Sequence, residues 1–389
     1  MQFKDFQDLK LSALGFGAMR LPVLENGIIN EEMADEMVSY AFEHGVNYFD
    51  TAYPYHSGDS ERIIGRALKQ YPRESYYLAT KYPGHQISDN YDPAAIFEEQ
   101  LKKCGVEYFD FYLLHNVYEN SIKVYTDPQW GIVDYFLEQK KKGRIKYFGF
   151  STHAGIETLE EFLDQYGNVM DFGQIQLNYL DWTLQDAKAK YELLTERGIP
   201  VWVMEPVRGG TLAKDFGGNE DRLKLLRPNE SIASWGFRWL QALPNVTVIL
   251  SGMSNMEQVQ DNVKTFGTDI PLSDEEKDLL AEIASGMLDL LPCTACRYCC
   301  DGCPKGLNIP IFLGYYNELK FSPTAFNVGM SVDALPSEKQ PSACIECGKC
   351  VQICPQNIDI PKALKELAAI IEKLPHWSDI CKEREKAQR

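Results

Sequence analysis

The stretch NEEMADEMVSYAFEHGVNYFD, residues 30–50, carries one complete helix-to-strand unit. Asn30 has a short side-chain acceptor suited to a helix N-cap, and Gly45 is suited to the exit. Between them Met33, Met37 and Ala41, with Ala34, Val38 and Phe42, fall on one apolar stripe at helical spacing. Val46–Asp50 then reads as a short buried strand. The same kind of β-rich run occurs at Leu11–Leu14, Tyr77–Lys81, Phe109–Leu114, Tyr147–Ser151, Phe172–Leu177, Pro200–Met204 and Val246–Leu250.

Eight such runs at intervals of about 25 to 46 residues leave room for one helix between successive strands. The expected fold class is therefore α/β, a (β/α)8 TIM barrel. A doubly wound open sheet shares the local pattern, but no G-x-G-x-x-G follows the first strand. Ser273, with Glu276 three residues on, predicts a capping box and a final helix to about Ala284. The expected domains are 1–285, the barrel, and 286–389, a small and mostly α-helical iron-sulfur domain whose core is slight and whose metal groups act as staples.

The chain of 389 residues has 39 Lys and Arg against 56 Asp and Glu, a formal net charge of −17. With no basic block, a nucleic-acid surface is not expected. The first residues are polar, and no stretch approaches the roughly 18 uninterrupted apolar residues of a membrane helix. No membrane partner is expected, and the expected location is the cytoplasm.

Ten of the eleven cysteines follow Pro292, and only Cys104 precedes it. Clustered thiols in a long chain of this kind point to metal before disulfides. They form an internal repeat. Cys293, Cys296, Cys299, Cys303, Pro304, Ile309 and Pro310 recur 51 positions later as Cys344, Cys347, Cys350, Cys354, Pro355, Ile360 and Pro361. Each copy reads C-x2-C-x2-C-x3-C-P, the run that ligates a [4Fe-4S] cluster, so two clusters are expected. The alternative is a pair of four-cysteine zinc sites. In each copy the Ile-Pro opens a helical stretch. Cys300 and Cys381 read as spare small apolar thiols and Cys104 as a buried helix residue. Phe321–Ala343 reads as loop-rich. The region 290–375 resembles the α-helical two-[4Fe-4S] ferredoxin domains of succinate dehydrogenase and related subunits. That resemblance implies one-electron transfer. In ferredoxins with this run the fourth cysteine serves the other cluster, which would pair Cys303 with the Cys344 group and Cys354 with the Cys293 group.

In such a barrel, chemistry sits at the C-terminal ends of the strands. Asp50, Lys81 and His115 end the second, third and fourth strands, and Tyr55 follows the second by five residues. Reducing a carbonyl by hydride transfer needs an acid for the developing alkoxide, and a tyrosine beside an ammonium can serve. Lys81 supplies the ammonium, Asp50 holds it, and His115 orients the carbonyl oxygen.

Through Phe49-Asp-Thr-Ala-Tyr-Pro-Tyr55, Gly65-Arg-Ala-Leu68, Leu78-Ala-Thr-Lys81, Asp110-Phe-Tyr-Leu-Leu-His115 and Gly149-Phe-Ser151, residues 10–285 resemble the aldo-keto reductase family. The resemblance implies reduction of aldehydes and ketones, or oxidation of alcohols, with NADPH or NADH, on the tetrad Asp50, Tyr55, Lys81 and His115. It places the nicotinamide carboxamide at Ser151 and Gln176, and the pyrophosphate side at Glu205–Leu212, including Arg208 and Gly209, and at Ser251–Asn262. Four positions depart from the family. Thr152 stands where an Asn is usual, Met204 where an aromatic stacks on nicotinamide, and Gly252 and Gln258 where a Lys and an Arg meet the 2′-phosphate. Loss of two cations weakens discrimination for the phosphate. Arg208 is a candidate substitute, Ser251 lies alongside, and Asn262 is placed to read adenine.

The expected function is an NAD(P)H-linked oxidoreductase acting on a small carbonyl or alcohol, whose clusters exchange electrons with an external carrier. Two alternatives stand beside it: a non-catalytic, nicotinamide-sensing barrel in an electron-transfer or assembly subunit, and an enzyme whose clusters are structural only. The segments His85–Asp92 and Tyr118–Gln129, with Trp130, are the expected pocket walls.

Overall fold

The computed structural model describes residues 1–374 except 87, 89, 120, 216–217 and 322–325. Cys381 lies outside the described residues. The chain separates into two compact units, Met1–Ser285 and a second beginning at Gly286. Among the described residues no helix is long and apolar enough to cross a membrane.

The first unit opens with an antiparallel hairpin, β1 (Phe3–Phe6) and β2 (Leu9–Ser12). Eight parallel strands follow: β3 (Leu14–Gly17), β4 (Tyr48–Asp50), β5 (Tyr77–Tyr82), β6 (Phe109–Val117), β7 (Ile145–Thr152), β8 (Phe172–Gln176), β9 (Val201–Met204) and β10 (Val246–Ser251). They close in chain order, β10 pairing with β3. The eight-stranded barrel is as expected, but its first strand is β3 and not Leu11–Leu14. Leu11 belongs to the hairpin, and Gly15 and Gly17 lie inside β3. A Cβ on Gly15 would come within 2.6 Å of Leu250 Cδ2 and 2.8 Å of Val248 Cγ1, so only glycine lets these strands close.

Alternate residues of a strand face the same side, and the inward set fills the barrel. Tyr48, Ala79, Phe111, Leu113, Phe172, Trp202, Val248 and Leu250 form one buried cluster, sealed by Phe6 and Leu11 of the hairpin. The Phe6 ring meets Trp202 edge-on at 4.9 Å between centroids. A larger layer packs helices on the outside, where the helix Glu31–Glu43 buries Ala34, Met37, Val38 and Ala41 under an Asn30 cap accepting from Met33 N at 3.2 Å. The predicted capping box forms: Ser273 N donates to Glu276 Oε2 at 2.7 Å and Glu276 N to Ser273 Oγ at 3.2 Å. Cys104 is buried at the end of the helix Pro93–Cys104.

The second unit is helical. Ile309–Phe321 and Ile360–Ile371 start at the repeated Ile-Pro, and Asp359 caps the latter by accepting from Lys362 N. Their core includes Ile309, Phe312, Leu313, Leu364 and Leu367. The expectation of a loop over Phe321–Ala343 is corrected. Phe326–Asp333 is a helix, because Val328 and Val332, one turn apart, both enter this core.

Candidate functional site

Continuing each inward-facing set by two residues leads to the C-terminal mouth of the barrel. Beyond Tyr48 comes Asp50, beyond Ala79 comes Lys81, beyond Leu113 comes His115, beyond Phe172 come Gln174 and Gln176, and beyond Trp202 comes Met204. The tetrad follows from strand register. Lys81 Nζ donates to Asp50 Oδ1 at 2.5 Å, to the Thr51 carbonyl at 2.7 Å and to the Tyr55 hydroxyl at 3.5 Å. Lys81 and Asp50 are buried. Burial pushes Lys81 down from the usual lysine value and Asp50 up, and their mutual attraction opposes both shifts. The His115 ring meets Tyr55 edge-on at 5.7 Å. Burial holds His115 well below the usual histidine value, with His85, Lys81 and His153 adding to the effect.

Behind Lys81 lies a buried polar chain. Gln100 Nε2 donates to the Lys81 carbonyl at 3.0 Å and to Glu61 Oε1 at 2.7 Å, the Thr80 hydroxyl donates to Glu61, and the Tyr112 hydroxyl to Gln100. This chain fixes the strand that carries the ammonium. Sequence reasoning named His85 only as the start of a pocket wall and gave it no place beside these four residues. Its ring packs edge-on against His115 at 4.4 Å, and burial brings it down to about 4.

The residues expected at the cofactor have the following surroundings. Ser151 Oγ accepts from Asn116 N at 2.8 Å. Thr152 turns its hydroxyl to the Val117 carbonyl at 2.6 Å. Gln176 Nε2 donates to Asp181 Oδ2 at 2.7 Å, which also accepts from Asn178 at 2.6 Å. Arg208 is buried, with Nε 3.1 Å from Asp181 Oδ1 but without hydrogen-bond alignment, and its Nη2 has no hydrogen-bond partner among the described residues. Such an orphaned guanidinium nitrogen, beside Gly209 and Gly210 at φ 62° and 92°, fits an anionic group. Asn262 Nδ2 donates to Ser251 Oγ at 2.9 Å, both buried. Gln258 is tied into the cap of its own helix, accepting from Ser254 N at 2.7 Å while Asn255 accepts from Gln258 N. Over Gly252 lies the stem of Arg20, whose Nη2 is 3.6 Å from Glu205 Oε1.

In the second unit the thiols ring two hollows. One, of about 350 Å3, is lined by Cys303, Cys344, Cys347 and Cys350; the other, of about 290 Å3, by Cys293, Cys296, Cys299 and Cys354. Each hollow thus takes three thiols from one run and the fourth from the other. Cys300 lines neither. The repeat extends to the backbone. Ala295 and Glu346, Arg297 and Gly348, and Gly306 and Asn357, each pair 51 residues apart, are all left-handed. Among the described residues no three His, Cys, Asp or Glu side chains converge as on a single ion. Thiols spread round a hollow suit a polynuclear centre better than one tetrahedral ion. Burial, with Cys344 and Cys347 nearby, pushes the Cys350 thiol up to about 11, so four thiolates here call for a cationic centre.

The profile of the aldo/keto reductase family matches residues 13–285, and that of a 4Fe-4S dicluster domain residues 292–358. The chain is 28% identical over 326 residues to the NADH-specific methylglyoxal reductase of Escherichia coli (strain K12), covering 72% of this chain and 97% of that one. Among solved structures, a thermostable aldo-keto reductase in complex with the inhibitor epalrestat superposes with a TM-score of 0.60 at 25% identity, over 73% of this chain and all of that one. The holo form of an aldo-keto reductase from Bacillus halodurans gives 0.58 at 27% identity, over 73% and 96%. Barrel and profile agree: the chain belongs to the aldo/keto reductase family, as an NAD(P)-linked oxidoreductase that also carries a 4Fe-4S dicluster domain.

Proposed function

We propose that this protein is a cytoplasmic, NADH-preferring reductase of a small aldehyde or ketone, also oxidising the matching alcohol, and that it holds two [4Fe-4S] clusters serving an external one-electron carrier. The observation that carries the reading is Lys81 Nζ, which reaches Asp50, the Thr51 carbonyl and the Tyr55 hydroxyl at once. When bound, the nicotinamide supplies a hydride to the carbonyl carbon. Tyr55 gives its hydroxyl proton to the carbonyl oxygen as charge develops there, and the Lys81 ammonium stabilises the phenolate left behind. Asp50 keeps that ammonium in place. The neutral His115 donates a hydrogen bond to the same oxygen and sets which face of the carbonyl is presented.

Ser151 and Gln176 hold the carboxamide end, Gln176 being oriented by Asp181. Arg208 Nη2 and the Gly209 backbone hold the pyrophosphate, while Ser251 and Asn262 lie on the adenosine side. The preference for NADH is supported by Gly252 and by Gln258, whose side chain is occupied by its own helix cap. The E. coli relative is also named as NADH-specific. The cluster ligands are Cys303, Cys344, Cys347 and Cys350 for one group and Cys293, Cys296, Cys299 and Cys354 for the other. When bound, these groups supply one-electron exchange.

A Tyr55→Phe protein, assayed with NADH and methylglyoxal, should lose about 10²- to 10⁴-fold in kcat. It should still bind NADH by fluorescence, and more tightly than NADPH. Retention of full turnover would overturn the reading.

A further inference from the structure

The two thiol hollows differ in their surroundings. Behind the Cys293 group stand buried side chains, among them Thr294, Leu313, Gln356 and Ile358. The hollow of the Cys344 group is backed by buried Leu307, Ile309 and Leu364 but has more exposed residues round it: Pro304, Lys305, Ile345, Lys349 and Cys347 itself, against Arg297 alone at the other. Ile345 is 56% exposed, and Ile353, on the helix Lys349–Ile353 that follows the thiols, is 42% exposed. A β-branched apolar residue left in water beside a ring of thiols gains nothing for the fold. It resembles the centre of an interface that lacks its other half.

The charges round this rim have a sign. Lys305 and Lys349 line the hollow, and Lys339 adds a third ammonium by donating to the Lys305 carbonyl at 2.8 Å and to the Gly306 carbonyl at 3.4 Å. Glu346, three residues before Lys349, is matched by Lys365 at 3.4 Å, and Glu338 adjoins Lys339 in sequence. Residues 286–389 hold 12 Lys and Arg against 12 Asp and Glu, so the whole deficit of −17 lies in residues 1–285. A negatively charged protein is therefore repelled by most of this chain's sequence and finds ammonium groups at this rim, a pattern that steers encounters.

We propose that the rim of the Cys303–Cys344–Cys347–Cys350 hollow is the docking face for a small acidic one-electron carrier protein, with Ile345 at its centre and Lys305, Lys339 and Lys349 at its edge. This rests on the cluster reading above and adds which hollow faces the partner and what the partner's surface is like. The Cys293 hollow takes no part in docking.

The test uses the full chain, loaded anaerobically, with iron and sulfide measured before binding is read. The probe is an acidic bacterial ferredoxin, compared with a basic cytochrome c by calorimetry at low and at high salt. The ferredoxin should bind, more weakly as salt rises, and the cytochrome should not. Lys305→Glu with Lys349→Glu should weaken ferredoxin binding by about tenfold or more, and the milder Lys305→Gln with Lys349→Gln by less, with iron content unchanged. Lys320→Glu with Lys373→Glu, which line neither hollow, should leave it as it was. Loaded protein that ignores ferredoxin, binds the cytochrome equally well, or is indifferent to the rim changes would overturn the docking face while leaving the clusters standing. Protein that takes up no iron would overturn the cluster reading as well.

Discussion

Lys81 is an ammonium in a dry place, held by three acceptors that come from β4 and the turn after it. Asp50, Lys81 and His115 were legible in the sequence because each ends a run whose alternation assigns its side. Tyr55 was legible only through the reaction that the other three suggest. His85 was not, since it lies in a loop four residues past Lys81, where periodicity assigns no direction. Its ring and that of His115 are both neutral at neutral pH, because burial lowers His85 to about 4 and His115 well below 6.5. The unfolded chain therefore takes up these protons first. Stability is whole above about pH 6.5 and drains away as the pH falls toward 4. A His85→Gln protein should escape part of that loss, on the order of 2 kcal/mol between pH 7 and 4.5. Denaturant unfolding at the two pH values checks it, and parallel loss in both proteins would dismiss His85 as a source.

The hairpin β1–β2 shows where sequence periodicity misleads. Leu9–Ser12 alternates like a barrel strand, and the glycines of β3 do not, yet closure of the barrel demands glycine at 15 and uses the alternating segment as a floor. Only the packing of Phe6 and Leu11 onto Trp202 and its neighbours separates the two roles. Phe6 is 3% exposed, so Phe6→Ala should cost about 3 to 5 kcal/mol by opening a cavity under the barrel. Because the tetrad stands at the opposite mouth, kcat at 25 °C should hardly move. A thermal scan paired with an assay decides the matter, and a large fall in kcat without loss of stability would count against a purely structural floor. The helix Phe326–Asp333 was missed for a related reason. It is short, its apolar face has only one turn to show itself, and its partner core lies far away in sequence.

The division of the chain into a strongly acidic part and a neutral, cysteine-rich part was legible from composition, and the doubled motif gave the second part its chemistry. The crossing of the fourth thiols was expected only through the likeness to two-cluster ferredoxins, and the two hollows group the thiols in that crossed way. The second unit's core is small beside that of the first, so metal should supply much of its stability. Anaerobic chelation of iron should therefore unfold the helices Ile309–Phe321 and Ile360–Ile371, seen as lost helical circular dichroism, while NADH-dependent carbonyl reduction stays within about twofold. Turnover that falls in step with iron would instead place the clusters in the path of the reaction.

The crossing also sets a clock on synthesis. Cys293, Cys296 and Cys299 leave the ribosome well before Cys354, the thiol that completes their hollow, and the 61 positions from Cys293 to Cys354 take about 3 to 12 seconds to translate. The hollow of Cys303 has all its thiols once Cys350 is made, four positions before Cys354 completes the other, so the two sets become complete almost together. From Cys303 to Cys344 five uncommitted thiols, Cys300 among them, stand on the nascent chain, so the same arrangement that locks the finished unit makes its birth the moment most exposed to oxidants.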